Sequence, residues 1–186
     1  MAAMKGSIVV ALITFLPHVS CQVTEIGGCP LVRVLDKFDP NKFSGKWFEV
    51  ERTHRRGLPR LSCVAAEYYY DGQGKFSTAN TAVLPNGHLN RVLGELSITN
   101  QTEPAKMTMR FLAQNPEQRP FWVLYADYEN CSIVYRCLQL FWLHTKYAWI
   151  LCRNHTSTET YLVNMRSYVQ QWTGINPQQF SKTPCK

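Results

Sequence analysis

The sequence predicts an all-β fold: an eight-stranded antiparallel up-and-down barrel with one C-terminal α-helix packed outside it. Three observations lead there. Eight strand-like runs succeed one another, at 45–52, 63–70, 75–83, 90–98, 106–111, 121–128, 131–140 and 147–152. Turn signals stand between most of them, which favours pairing between neighbours in sequence. One amphipathic helical pattern follows the last run. Eight strands is also the number that closes into a barrel with space for a single small ligand.

In chain order, the first element is a leader. Lys5 precedes an apolar run at 8–16, and the small residues Val19, Ser20 and Cys21 offer a cleavage site before Gln22. The run is too short to span a bilayer, and no later stretch is long and apolar enough to do so. The expected organisation is a signal peptide at 1–21 and one domain at 22–186, secreted and extracellular. The whole chain has a formal charge of +7, and only Lys5 leaves with the leader.

The stretch 38–52 opens the domain. A polar turn leads to Gly45, where the backbone can approach another element, and then to strand-like residues headed by Trp47. The next runs are punctuated by Asp71-Gly72-Gln73-Gly74, Pro85-Asn86-Gly87, Asn100-Gln101-Thr102-Glu103-Pro104, Asn115-Pro116-Glu117 and Glu129-Asn130. After the last run, Tyr161, Leu162, Met165, Tyr168, Val169 and Trp172 share one helical face, which packs against the outside of the sheet. Thr156 with Glu159 reads as the capping box, and Gly174 followed by Pro177 reads as the stop.

Removal of the leader leaves six cysteines, Cys29, Cys63, Cys131, Cys137, Cys152 and Cys185. An even set in a secreted chain implies disulfides, although six allow 15 pairings. A metal site is not expected, because there is no CxxC and the histidines are scattered. An enzyme is not expected either: no G-x-S-x-G is present, and Gly72-Gln73-Gly74 lacks the third glycine and the following helix of a dinucleotide loop. Nucleic-acid binding is disfavoured by secretion and by the lack of a clustered basic strand face.

Three landmarks carry a family resemblance: Gly45-Lys46-Trp47, Ala126-Asp127-Tyr128, and Arg153 after Trp149-Ile150-Leu151-Cys152. In this order and at these separations the chain resembles the lipocalins. The segments 122–135 and 102–106 and the ending Pro184-Cys185-Lys186 resemble the branch of apolipoprotein D, Lazarillo and the insect bilin-binding proteins. In an eight-strand meander, odd strands leave the end to which even strands return. The three landmarks therefore meet at one end, where Gly45, Trp47, Asp127, Tyr128 and Arg153 close the barrel and Arg153 lies over Trp47. The opposite end is the mouth, built from loops near 54–61, 84–89, 113–120 and 139–146.

The resemblance implies the pairs Cys29–Cys137 and Cys63–Cys185. Cys131 and Cys152 are left over, and pairing them sets 133 opposite 150 and 135 opposite 148, a workable hairpin register, so a third disulfide Cys131–Cys152 is expected. With Cys137 outward, alternation turns Ser132, Val134 and Arg136 inward. The resemblance adds Tyr68, Trp122, Trp149 and Leu151, and their same-face neighbours Ala66 and Leu124 follow. Such a wall suits a mostly apolar small molecule, a lipid, fatty acid, sterol, retinoid or bilin pigment, with no cofactor required. Arg136 either pairs with a ligand carboxylate or is turned to water by a bulge; Arg55, Arg56, Arg60 and Arg119 either add to the field at the entrance or are simply solvated. Glu49 and Glu51 share the alternation of Trp47, so a bulge or bend is expected there.

The function expected from this resemblance is that of a secreted carrier of a small hydrophobic ligand. The alternative is a secreted lipocalin acting by surface contact with a receptor, lipoprotein or membrane. Phe141, Trp142 and Leu143 either supply such a contact or pack as strand ends. A monomer or weak oligomer is expected, and the sequons at Asn100, Asn130 and Asn154 all fall at the closed end.

Overall fold

A computed structural model of the chain describes residues 23–53, 60–112 and 117–185. The expected leader, together with Arg55 and Arg56, lies outside the described residues. Eight antiparallel strands form the barrel: β2 (Gly45–Thr53), β3 (Ser62–Tyr70), β4 (Lys75–Val83), β5 (Leu89–Ile98), β6 (Lys106–Phe111), β7 (Arg119–Ala126), β8 (Cys131–Leu140) and β9 (Leu143–Cys152). Each pairs with the next, and β9 pairs back onto β2 to close the ring. A helix, α2 (Glu159–Thr173), packs outside, burying Leu162, Met165, Val169 and Thr173. Its N-cap is Thr158, not the expected Thr156, because the Thr158 hydroxyl accepts from Tyr161 N. Gly174 ends it in the left-handed conformation, φ 72°, where a glycine carries no steric cost.

Besides a 3-10 turn at Pro177–Gln179, three short elements go beyond the expected runs. A single turn, α1 (Pro40–Phe43), precedes β2, started by Asp39, whose carboxylate accepts from Asn41 N and Lys42 N, and by Pro40 in the first turn. β1 (Val23–Ile26) pairs with the upper end of β9, and β10 (Phe180–Lys182) with the upper end of β2. The segments before and after the eight runs are thus partly strands. β9 also starts four residues before the expected run, because β8 and β9 stay paired up to Leu140 and Leu143 and turn through Phe141 and Trp142 alone.

The seam between β2 and β3 is only half zipped. The two pair from Gly45 opposite Tyr68 to Phe48 opposite Ala65. Above that, the C-terminal segment runs between them: Thr183 N donates to Val50 O (2.9 Å) and Cys63 N to Pro184 O (2.8 Å). The Cys63–Cys185 disulfide fixes it there. Cys29–Cys137 ties the N-terminal segment to β8, and Cys131–Cys152 crosses the β8–β9 hairpin in the register that places Ile133 opposite Ile150 and Tyr135 opposite Ala148.

β2 carries the bulge that its two glutamates require: its pairing with β9 shifts between Glu49 and Glu51. Glu51 therefore meets α2, where Arg166 donates to its carboxylate at 2.7 Å. Burial raises the Glu51 pKa, and Arg166 opposes that only in part.

Candidate functional site

The closed end is built around one guanidinium. Arg153, just past β9, lies over the Trp47 ring with its central carbon 3.8 Å from the centroid. Its nitrogens donate to Tyr128 O (2.9 Å), Lys46 O (2.9 Å), Lys42 O (2.8 Å) and Ser44 O (3.0 Å). Those carbonyls belong to α1, the start of β2 and the β7–β8 turn, so one side chain ties three segments together. Gly45 is needed at this crossing: its φ is 96°, and a Cβ there would sit 3.2 Å from an Arg153 nitrogen. Trp47 is fully buried and donates its indole N–H to Phe43 O at 2.8 Å.

Asp127 and Tyr128 complete the floor. The Asp127 carboxylate accepts from Asn130 N (2.7 Å), Cys131 N (2.9 Å) and the Tyr161 hydroxyl (2.7 Å). Burial pushes its pKa up, but these donors outweigh burial and hold it below the usual carboxylate value. Tyr128 accepts from Asp39 N through its hydroxyl at 2.8 Å.

Above the floor the barrel is hollow, with a cavity of about 150 Å³. Ala66 and Tyr68 of β3, Val134 and Arg136 of β8, and Trp149 and Leu151 of β9 line it. The Arg136 guanidinium lies 4.8 Å from the Tyr147 ring centroid and 5.1 Å from that of Trp149, two rings inclined by only 23°. A cation stacked on rings in this way is held in place on the inner wall. Burial pushes the Tyr68 hydroxyl pKa upward, so Tyr68 stays neutral.

Two expected lining residues are elsewhere. Trp122 pairs with Tyr135, one residue out of phase with inward Val134 and Arg136, and its ring meets Tyr135 (6.2 Å) and the Lys106 ammonium (5.4 Å). Cross-strand partners share a face, so Trp122 points out and its neighbour Phe121 points in. Leu124 is buried yet does not border the cavity; it is the bulged residue of β7, left without a partner on β8 where the register shifts between Val123 and Tyr125.

Other lining residues had not been singled out. Phe121, Met109 and Phe111 extend the apolar wall, and Asn80 adds a polar point on β4. Glu49 also borders the cavity, with its carboxylate engaged by the Thr183 hydroxyl (2.5 Å) and by Arg52 Nε (3.4 Å). A larger hollow of about 240 Å³ lies outside the barrel, between the Cys131–Cys152 bridge and the start of α2, with Asn130 and Asn154 on its border. Its lining is mixed polar, whereas the lumen has the apolar wall and few polar points of a ligand site.

The family model described as lipocalin-like domain matches residues 38–185. The chain belongs to the lipocalin family. This lipocalin is 37% identical to apolipoprotein D of Cavia porcellus over 145 residues, 76% of each chain. It is 38% identical to apolipoprotein D of Bos taurus, again over 76% of each. Its fold matches the solved structure of insecticyanin from the tobacco hornworm Manduca sexta with a TM-score of 0.76 at 27% identity, covering 87% of this chain and 88% of that one.

At the opposite end of the lipocalin barrel, the β8–β9 turn is exposed and apolar. Phe141 is 82% exposed, Trp142 71% and neighbouring Leu140 65%; Leu143 is half-buried. Among the described residues, no group of three or more His, Cys, Asp or Glu side chains is placed to hold a metal ion. No helix among them is long and apolar enough to cross a membrane.

Proposed function

We propose that this lipocalin is a secreted, non-catalytic carrier that holds a small hydrophobic ligand inside the barrel. The observation that carries this reading is a hollow, mainly apolar lumen above a floor sealed by Trp47 and Arg153. Ala66, Tyr68, Val134, Trp149 and Leu151 supply the apolar contacts, and no cofactor is needed. A lipid, fatty acid, sterol, retinoid or bilin is the class of ligand the family suggests. Arg136, stacked on Tyr147 and Trp149, anchors an acidic head group, since a charge-assisted bond in a water-poor site is strong.

The exposed Phe141 and Trp142 support a further element of the reading, contact with a lipid or lipoprotein surface near the mouth, alongside half-buried Leu143. Exposed Asn100, Asn130 and Asn154 are proposed glycan sites at the closed end, away from that contact, on a monomer or weak oligomer.

The test is extraction of ligand from the protein purified from its source, with native mass spectrometry. A bound small molecule released on denaturation is the expected result; protein that is empty from every preparation and takes up no apolar probe refutes the carrier. Affinity for a fatty acid and its methyl ester then tests Arg136. Arg136→Ala is expected to weaken the acid roughly tenfold, the loss of one charge-assisted bond of about 1.5 kcal/mol, and to leave the ester unchanged. Equal losses for both remove the anchoring role.

A further inference from the structure

Two aromatic side chains divide the lumen. Tyr68 stands on β3 and Phe121 on β7, four strands apart in the closed ring of eight and therefore on facing walls. Their rings nevertheless meet, with centroids 5.9 Å apart at 62°. Both border the cavity, so the pair forms a crossbar at its base. Beneath the crossbar the space is filled. Phe43, lifted into the barrel by α1, touches Tyr68 (5.3 Å), Phe121 (6.5 Å), Phe76 (6.3 Å) and Trp47 (5.4 Å). Phe43, Phe76 and Trp47 are fully buried.

We infer that Tyr68 and Phe121 act as a depth stop that restricts the ligand to a compact amphiphile, a single ring or a medium-length acyl chain. This rests on the carrier reading above and narrows it. The remaining 150 Å³ is close to the volume of an apolar cavity that takes up one benzene ring, and well below the roughly 300 Å³ at which drug-sized sites begin. A four-ring bilin or a long acyl chain lying fully inside would have to part the two rings and displace Phe43. That opens the packing that seats the floor. Phe121 is the adjustable half of the crossbar: it is half-buried, whereas Tyr68 is buried.

The experiment is calorimetric titration of the intact, disulfide-bonded protein with saturated fatty acids from hexanoate to stearate. Affinity is expected to rise roughly fourfold per added methylene while each enters the cavity. It then levels off near octanoate or decanoate, as further carbons stay in water. Phe121→Ala moves that break to longer acids, Phe121→Leu moves it less, and Phe121→Trp moves it to shorter ones. Because Phe121→Leu and Phe121→Trp keep an apolar side chain at the position, the test survives if Phe121→Ala fails to fold. An unbroken rise through stearate in the wild type overturns the depth stop and leaves the carrier standing. So does stoichiometric uptake of biliverdin with induced visible circular dichroism. Binding of no acid of any length, by wild type or variant, overturns the depth stop; the carrier reading falls with it only if the protein also takes up no other apolar probe and releases no ligand on denaturation.

Discussion

Replacing Arg153 by leucine should cost about 4 kcal/mol of folding stability. Four carbonyls accept from this guanidinium. The bonds to Lys46 O and Lys42 O are exposed, and water replaces the donor there at little cost. Those to Tyr128 O and Ser44 O are part-buried, and each charge-assisted bond lost contributes roughly 1.5 kcal/mol. The contact with the Trp47 face adds about 1 kcal/mol. For a domain with a net stability of roughly 5–15 kcal/mol, that is a large fraction.

The assay is urea unfolding followed by tryptophan fluorescence and near-ultraviolet circular dichroism, at constant disulfide content. Arg153→Lys should recover less than half of the loss, because an ammonium lacks the planar fork that reaches several carbonyls at once. A loss below 1 kcal/mol for Arg153→Leu, or full recovery with lysine, would refute the view that the floor is held by the shape of the guanidinium.

Removing the hairpin bridge with Cys131→Ala and Cys152→Ala, which lie 21 positions apart, should lower stability by about 3 kcal/mol and the melting temperature by roughly 6–12 °C; an unchanged melting temperature contradicts this. Asp127 has a folded-state pKa depressed below its ordinary 3.8, so its contribution is present above that pH and is lost as the pH falls below it. Tyr161→Phe removes a donor to this carboxylate and should shift acid unfolding to higher pH, with the carboxyl titration followed by NMR. An unmoved carboxyl titration would show that the hydroxyl does not hold the charge.

The barrel and its floor were legible because strand polarity brings the start of the first run and the end of the last to one end, and the lipocalin resemblance marks Trp47 and Arg153 there as the residues that meet. The phase of β7 was not. Phe121, Trp122 and Val123 are three apolar residues in a row, so the pattern carries no alternation by which to choose an inward face. The outward disulfide of Cys137 held the answer: it turns Tyr135 outward, and the register then takes Trp122 with it. β1 and β10 were hidden for a different reason. With four and three residues, they owe their strand form to the exposed edges they cover rather than to their own composition. The turn α1 did carry a signal, Asp39 before Pro40, but four residues have no periodicity. Cavity size was beyond sequence, since it depends on two rings from opposite walls reaching each other.

The segment that fills the gap between β2 and β3 has a consequence for biosynthesis. Cys185 follows Cys63 by 122 positions. The ring closes only when β9, ending at Cys152, is made, and Cys185 lies 33 residues further on; at a ribosomal rate of about 5–20 residues per second the closed barrel waits roughly 2–7 s for the segment that fills this gap. Until then the upper wall has a slit beside Val64 and Ala65, both of which border the lumen. Loading during translation would therefore leak, and cargo uptake belongs to the oxidised, completed molecule.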